Sequence, residues 1–225
     1  MGSHAIIPAR GGSKGIPHKN LRTVGGRSLV ARAVDSAFQS EIFDRVYVST
    51  DSAEIADQAE KAGAEVLHRP AELAEDETST EAVIDFHLET EWKSFTGAVG
   101  LIQCTSPFIR AKSLQAGHSL LLQGSHDSVF SARNDHTFRW VPTEGGSWQT
   151  LGHNKNNRPR RQELPDTVIE TGGFYFFSAE LFRAEKTRFC GSTGIVLVER
   201  LESLEIDEPD DLHFANILAA SLGTA

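Results

Sequence analysis

The chain opens on a short apolar run, Ala5-Ile6-Ile7, which stops at Pro8 and empties into Ala9-Arg10-Gly11-Gly12-Ser13-Lys14-Gly15-Ile16-Pro17-His18-Lys19-Asn20. The run reads as a buried strand, and the loop behind it mixes glycines with the cations Arg10, Lys14 and Lys19. Glycine lets the backbone approach a ligand where a side chain would clash. A strand that ends in such a loop is how an α/β sheet presents backbone N–H groups to phosphate. Arg10 can add a forked donor and Lys19 a point charge. The string is neither a G-x-x-x-x-G-K-[ST] loop nor G-x-G-x-x-G, so residue types alone leave an anion site and an ordinary turn both open.

The same strand–loop–helix order repeats down the chain. Leu29, Val30, Ala33, Val34 and Ala37 have helical spacing and predict a helix beginning at Ser28. Arg45-Val46-Tyr47-Val48 predicts a second strand ending in Ser49-Thr50-Asp51. Asp51 and Ser52 are both N-cap candidates for a helix to Lys61 that Gly63 closes. Residues 64–67 read as a third strand delivering His68-Arg69-Pro70, and 71–78 as an acidic loop. Ser79 or Thr80 then caps a helix reaching residue 93. The continuously apolar 98–102 is a central strand that ends in Gln103-Cys104-Thr105-Ser106-Pro107. A helix over 113–123 and a strand over 128–132 follow. This alternation predicts βαβ crossovers and a mainly parallel sheet. Ligands of such sheets sit beyond the carboxyl ends of the strands, which sets Arg10, Ser49, Asp51 and Arg69 along one rim.

The pattern breaks near Asn134. Residues 134–158 hold His136, Phe138, Trp140, Gly145-Gly146 and Trp148, and end in a polar, basic run. They read as an inserted β-hairpin whose clustered aromatics mark an interface, a dimerisation arm. A cationic segment, Arg158-Pro159-Arg160-Arg161-Gln162-Glu163, leads to a strand over 171–177. A helix over 178–185, a strand near 195–198 and the segment Leu204-Glu205-Ile206-Asp207 come next. Glu208-Pro209 then opens the last helix with acidic residues, as dipole and proline geometry favour. A chain of 225 residues fits one domain over 1–225 with that insertion.

The formal net charge of −9 argues against nucleic acid as the main partner, since that binding rests on neutralising phosphates. Small anions remain compatible with local basic clusters at 10–19 and 155–161. No apolar run is long enough to span a bilayer, and the chain enters its first strand too early to leave room for a signal peptide. Cys104 and Cys190 make neither a disulfide framework nor a cysteine-based metal site. The expectation is a cytoplasmic protein with no membrane partner.

Six blocks, PARGGSKGIPHKN, STDSAEIA, RPAELAEDETST, IQCTSP, RRQELP with TGGFY, and LEIDEPDDL, occur in order. Together they closely resemble the acylneuraminate cytidylyltransferase pattern. The resemblance implies a Rossmann-like fold and transfer of CMP from CTP to the anomeric hydroxyl of a sialic-type 2-keto sugar acid, with release of pyrophosphate. It also implies Mg²⁺ and a homodimer. Carried over by residue, it implies a CTP site of Ala9, Arg10, Gly11, Gly12, Ser13, Lys19, Asn20, Arg69 and Thr80. Gln103, Thr105, Ser106, Arg161, Gln162 and Tyr175 would meet the acceptor, and Asp207 with Glu205 the metal. Arg10, Lys19 and Asp207 are the implied catalytic groups.

Two departures bear on the acceptor and the metal. Thr171-Gly172 stands where Asn-Gly is common, and Glu205-Ile206-Asp207 where Asp-x-Asp is common. A same-fold enzyme using Kdo or a small phosphonate acid stays open, although Gln103-Cys104-Thr105-Ser106-Pro107 lacks the Gln-Gly-Asp-Glu-Pro string usual for Kdo. So does a nucleotide-binding scaffold without turnover. Asp207 alone also reads as a helix cap, Asp210 and Asp211 as first-turn charges, and Thr105-Ser106 as a turn cap.

Overall fold

The structure is a computed structural model and describes residues 2–163 and 166–223, without the side chain of Arg161. The chain starts in β1 (Ser3–Pro8) and, after the glycine loop, makes a minimal hairpin of β2 (Thr23–Val24) and β3 (Arg27–Ser28). Helix α1 (Leu29–Ser40), strand β4 (Arg45–Thr50), helix α2 (Ala53–Lys61) and strand β5 (Glu65–His68) follow. Next come α3 (Thr80–Glu89), β6 (Ala98–Ile102), α4 (Ala111–Leu122) and β7 (Ser128–Asp135). The inserted hairpin is β8 (Arg139–Pro142) with β9 (Trp148–Leu151). Strand β10 (Thr167–Ser178), helix α5 (Ala179–Glu185), strand β11 (Thr193–Leu197) and helix α6 (Pro209–Ser221) complete the order.

Seven strands form one sheet in the order β11-β7-β10-β6-β1-β4-β5. β1 lies parallel between β4 and β6, and β5 extends that parallel half. The other half is mixed: β10 runs antiparallel to both β6 and β7, while β11 is parallel to β7. The α/β class, mainly parallel with flanking helices, is therefore the observed one. Every residue of β6 is buried, as a central strand covered on both faces requires. Apolar side chains of α1, α2 and α6 pack one face of the sheet, and Ile84, Leu88, Phe177 and Phe182 pack the other.

The helix starts follow local chemistry. The Ser28, Ser52 and Ser79 hydroxyls accept from the N–H groups of Ala31, Ile55 and Ala82, satisfying donors that the first turn leaves open. Two expectations change. Helix α3 stops at Glu89 rather than 93, because Trp92 turns inward and packs with Ile6, Leu88 and Val99. β10 begins at Thr167 instead of 171, since its first residues pair with β7 before a register shift between Glu170 and Tyr175. The residues from 204 to 207 carry no regular structure.

Candidate active site

The glycine loop leaves the carboxyl end of β1 and is pinned on both sides. Ala9 N–H donates to the Ser49 carbonyl at 2.9 Å, and Gly11 N–H to Asp51 Oδ1 at 2.9 Å. Buried Asn20 reaches back to hold the Arg10 carbonyl at 3.0 Å. Lys19 sits in a short 3₁₀ helix entered through His18, whose φ of 54° is left-handed. Its Nζ donates to the Ile206 carbonyl and to Asp207 Oδ1, both at 3.1 Å. The start and end of the chain thus meet at this loop. A Cβ on Gly15 would lie 2.4 Å from the Asp207 carbonyl oxygen, so only glycine allows this approach.

Opposite the loop stands Arg69, at the end of β5 and only 8% exposed. Its Nη2 donates to the Ser49 carbonyl at 3.3 Å and Nη1 to the Leu73 carbonyl at 3.4 Å, while Nε is buried without a partner. Burial pulls the Arg69 pKa below its ordinary value, against the opposing charge of Asp51. A buried donor without a partner is costly, and this one belongs to a cation lining a cavity. That cavity holds about 480 Å³, within the range of small-molecule sites. Arg10, Ser13, Lys14, Lys19, Asn20, Arg69, Thr105 and Asp207 line it together with Ser79, Thr80 and Val83 at the start of α3. The open N–H groups and positive dipole end of that helix favour a negative ligand. Larger hollows, of about 510 and 690 Å³, lie beside α1 and α2. Neither gathers the glycine loop, a helix start and four cations, and that convergence marks the site rather than volume.

Carboxylates hold three of the cations. Asp76 pairs with Arg10 at 2.8 Å and with Lys14 at 2.9 Å. The Lys14 hydrogen bond and charge, then those of Arg10, keep the Asp76 carboxyl below its usual range. On the other wall, Thr105 Oγ1 donates to Glu205 Oε1 at 3.4 Å, and Ile206 N–H to the Thr105 carbonyl at 2.8 Å. Burial raises the Glu205 pKa, and the nearby charges of Asp207 and Glu170 push it further up.

Several sequence readings change here. Asp207 is not a helix cap: α6 is capped at Glu208, and Asp211 accepts from the N–H groups of Asp207 (3.0 Å) and Glu208 (2.8 Å). Asp211 is thus more than a first-turn charge, and the Asp207 carboxylate faces Lys19. Asp51 does not cap α2, since Ser52 does, and instead ties down Gly11. The Gly11 N–H is therefore occupied and not directed at a ligand. Thr171 does not face the cavity either. It is buried, and its hydroxyl donates to the Ser131 carbonyl and Oγ at 3.0 and 2.8 Å.

Of the expected acceptor residues, only Thr105 is among the described residues lining the cavity. Gln103 is half-buried, its N–H bonded to the Gly173 carbonyl. Ser106 is buried with Oγ unpartnered, and Tyr175 is buried with its hydroxyl donating to Glu170. Gln162 is exposed in a short 3₁₀ turn, and the Arg161 side chain falls outside the described residues. Ala9 is buried and serves through its backbone, and Gly12 lines a shallower neighbouring hollow with Glu75 and Asp76. Lys14, Asp76, Thr78 and Ser79 line the main cavity without having been singled out for it. The acidic run before Ser79, read only as a loop, was the available signal: Asp76 within it pairs with the loop cations Arg10 and Lys14.

A cytidylyltransferase family model matches residues 4–155, from β1 through the inserted hairpin. The chain belongs to the cytidylyltransferase family. It is 38% identical over 184 residues to N-acylneuraminate cytidylyltransferase A of Danio rerio, covering 79% of this chain and 41% of that protein. The chain spans about two fifths of the length of such relatives, at 41%, 40% and 43% for three fish proteins. Similarity to the pseudaminic acid cytidylyltransferase of Campylobacter jejuni subsp. jejuni serotype O:2 is 29% over 223 residues, 97% of this chain and 96% of that one. A solved CMP:2-keto-3-deoxy-manno-octonic acid synthetase complexed with CTP shares the fold, with a TM-score of 0.71 at 17% identity, over 99% of this chain and 100% of that one. The acidic pair Glu205 and Asp207 lies beyond the segment the family model covers.

Proposed function

We propose that this chain transfers CMP from CTP to the anomeric hydroxyl of a nonulosonic acid and releases pyrophosphate. The observation that carries the reading is the cavity at the strand ends, where the cations Arg10, Lys14, Lys19 and Arg69 meet the start of α3 and the carboxylate of Asp207. The acceptor hydroxyl attacks the α-phosphorus, and the bond to pyrophosphate breaks in line as the new one forms. Positioning and charge stabilisation carry most of such a transfer. Arg10 and Lys14 reach the triphosphate once it displaces Asp76, Lys19 reaches it from beside Asp207, and together they offset the charge that grows on the leaving pyrophosphate. Arg69 and Asn20 hold the nucleoside end, with Thr80 beside it.

Glu205 and Asp207 fit a divalent cation such as Mg²⁺. Both offer hard oxygen donors close enough to feel each other's charge. Among the described residues no group of three or more His, Cys, Asp or Glu side chains could hold a metal by protein alone, which suits an ion completed by phosphate oxygens and water. Bound there, Mg²⁺ would neutralise phosphate charge.

For the acceptor, a sialic acid is supported by the higher identity to N-acylneuraminate cytidylyltransferases. Pseudaminic acid is the second reading, supported by similarity that runs over nearly the full length of both chains. Dimerisation through the hairpin belongs to the same proposal: Trp140 and Trp148 are 47% and 60% exposed there, more apolar surface than an isolated arm needs. A cytoplasmic setting agrees with free Cys104 and Cys190. The test is pyrophosphate release with CTP and Mg²⁺ against N-acetylneuraminate, pseudaminic acid, Kdo and a small phosphonate acid. Release with either nine-carbon acid supports the reading. Release only with Kdo or the phosphonate assigns a different acceptor, and CTP binding without release from any of them makes the chain a nucleotide-binding scaffold.

A further inference from the structure

A buried cation outside the cavity links the start of α3, which lines it, to the bulged segment of β10, which lies behind Thr105 and Glu205. Arg188 lies between α5 and β11 with its side chain only 11% exposed. Its Nε and Nη2 make a fork on Glu81, at 2.5 and 2.9 Å. Glu81 stands in the first turn of α3, next to Thr80, which lines the cavity. The guanidinium also lies 4.7 Å above the ring of Tyr175 on β10, and the Tyr175 hydroxyl donates to Glu170 at the start of the register shift. Gly172, with φ of 65°, lets the β10 backbone come close: a Cβ there would sit 2.8 Å from Glu205 Oε1.

We infer that Arg188 is a positioning residue that sets the distance between the start of α3, on the nucleotide side, and the bulged segment of β10, which backs the Thr105–Glu205 side. The inference rests on the proposed function, with α3 on the nucleotide side and Tyr175 on the acceptor side. Burial opposes the charge on Arg188, yet Glu81, Tyr175 and Glu170 hold it in the charged form. Burial likewise opposes ionisation of Glu81, and Arg188 overcomes it. Keeping an ion pair in the interior brings little stability over an apolar pair of similar size. What it does bring is direction: a planar fork facing α3 and a ring face toward β10 define an angle that a methionine would leave loose. A shift of either wall then moves both substrates.

The test is cross-talk. Glu81→Gln alters the nucleotide side yet is expected to raise KM for the sugar acid, and Tyr175→Phe alters the acceptor side yet is expected to weaken CTP binding in calorimetry. Tyr175→Phe frees Glu170 to compete with Glu81 for Arg188. Each cross effect is expected at about threefold to thirtyfold, the usual range for residues that couple two sites. Arg188→Lys keeps the charge and loses the fork, so it should hold the melting temperature and still show both shifts. The double variant Glu81→Gln/Arg188→Met leaves no unpaired buried charge and should show the same two shifts. If Glu81→Gln moves only CTP affinity, Tyr175→Phe moves only the acid, and Arg188→Lys changes only melting temperature, Arg188 is purely structural. If the wild type binds CTP but makes no CMP-sugar, the proposed function fails, while an unchanged CTP affinity in Tyr175→Phe separately overturns the coupling.

Discussion

Replacing Lys19 by methionine separates catalysis from architecture. The side chain is 17% exposed and its partner Asp207 is 62% exposed, so the ion pair is largely solvated on one side. Losing that pair and the bond to the Ile206 carbonyl should cost about 1 kcal/mol of stability. Methionine keeps most of the apolar stem, which limits any packing loss. In a domain of this size that is a drop of about 2–4 °C in melting temperature. The effect on turnover should be far larger. A preorganised cation facing developing charge in a closed site is worth about 2.7–4 kcal/mol, or about a hundred- to a thousandfold in kcat. The assay is steady-state pyrophosphate release with both substrates saturating, beside a thermal melt. A kcat within threefold of wild type together with a marked fall in melting temperature would refute the argument. Lys19 would then be a tie between the loop and residues 206–207, with no part in the chemistry.

Other predictions follow from contacts around the same cavity. Asp76→Asn frees Arg10 and Lys14 from their shared carboxylate, so the Kd for CTP should fall about two- to fivefold, judged from the usual strength of exposed pairs. Calorimetry showing equal or weaker binding would contradict the view that Asp76 stands where phosphate goes. Gly15→Ala puts a methyl 2.4 Å from the Asp207 carbonyl, and relieving that overlap should cost about 1–3 kcal/mol. The loop must move off Asp207, so kcat/KM should drop at least tenfold by the same release assay. An unchanged kcat/KM would mean that the loop and residue 207 need not touch. His87 is fully buried between Ser49 at 2.8 Å and Glu91 at 3.0 Å, and burial holds its pKa below the ordinary 6.5 despite the pull of Glu91. A depressed histidine pKa means the unfolded chain takes the proton first. Its share of stability is therefore complete above pH 6.5 and lost as pH falls through the lowered value. Urea unfolding between pH 7.5 and 5 should show that loss, and His87→Gln should flatten part of it. His4 and His118, depressed in the same sense, retain the rest. An identical slope in the variant would place the titration elsewhere.

The parallel half of the sheet was legible because each strand there is a short apolar run ending in a distinctive polar loop. β1, β4, β5 and β6 fall within two residues of the expected places. The inserted hairpin was legible too, from aromatics that break the strand–helix rhythm. What escaped was set by partners distant in the chain. The early residues of β10 are strand only because β7 lies alongside them, and α3 ends early because Trp92 finds a core pocket. The two-residue strands β2 and β3 carry too few residues to show a period. In the site, the glycine loop and its cations stood out by type and spacing. The carboxylates that hold them did not, because Asp51 and Asp76 act across 40 and more residues. Asp207 read locally as a cap, and only Asp211, accepting the same end-group N–H bonds, freed it to face Lys19. Thr171 stood out for its departure from a familiar pair, yet its hydroxyl is occupied by Ser131 inside the sheet.

The most direct test of the central claim is product analysis. The protein is incubated with CTP, Mg²⁺ and either N-acetylneuraminate or pseudaminic acid, and the mixture is read by mass spectrometry. The account predicts a CMP adduct of one of these acids, formed together with an equal amount of pyrophosphate and absent when either substrate is left out. Pyrophosphate release that needs no acid, or an adduct that forms equally well from UTP, would contradict it.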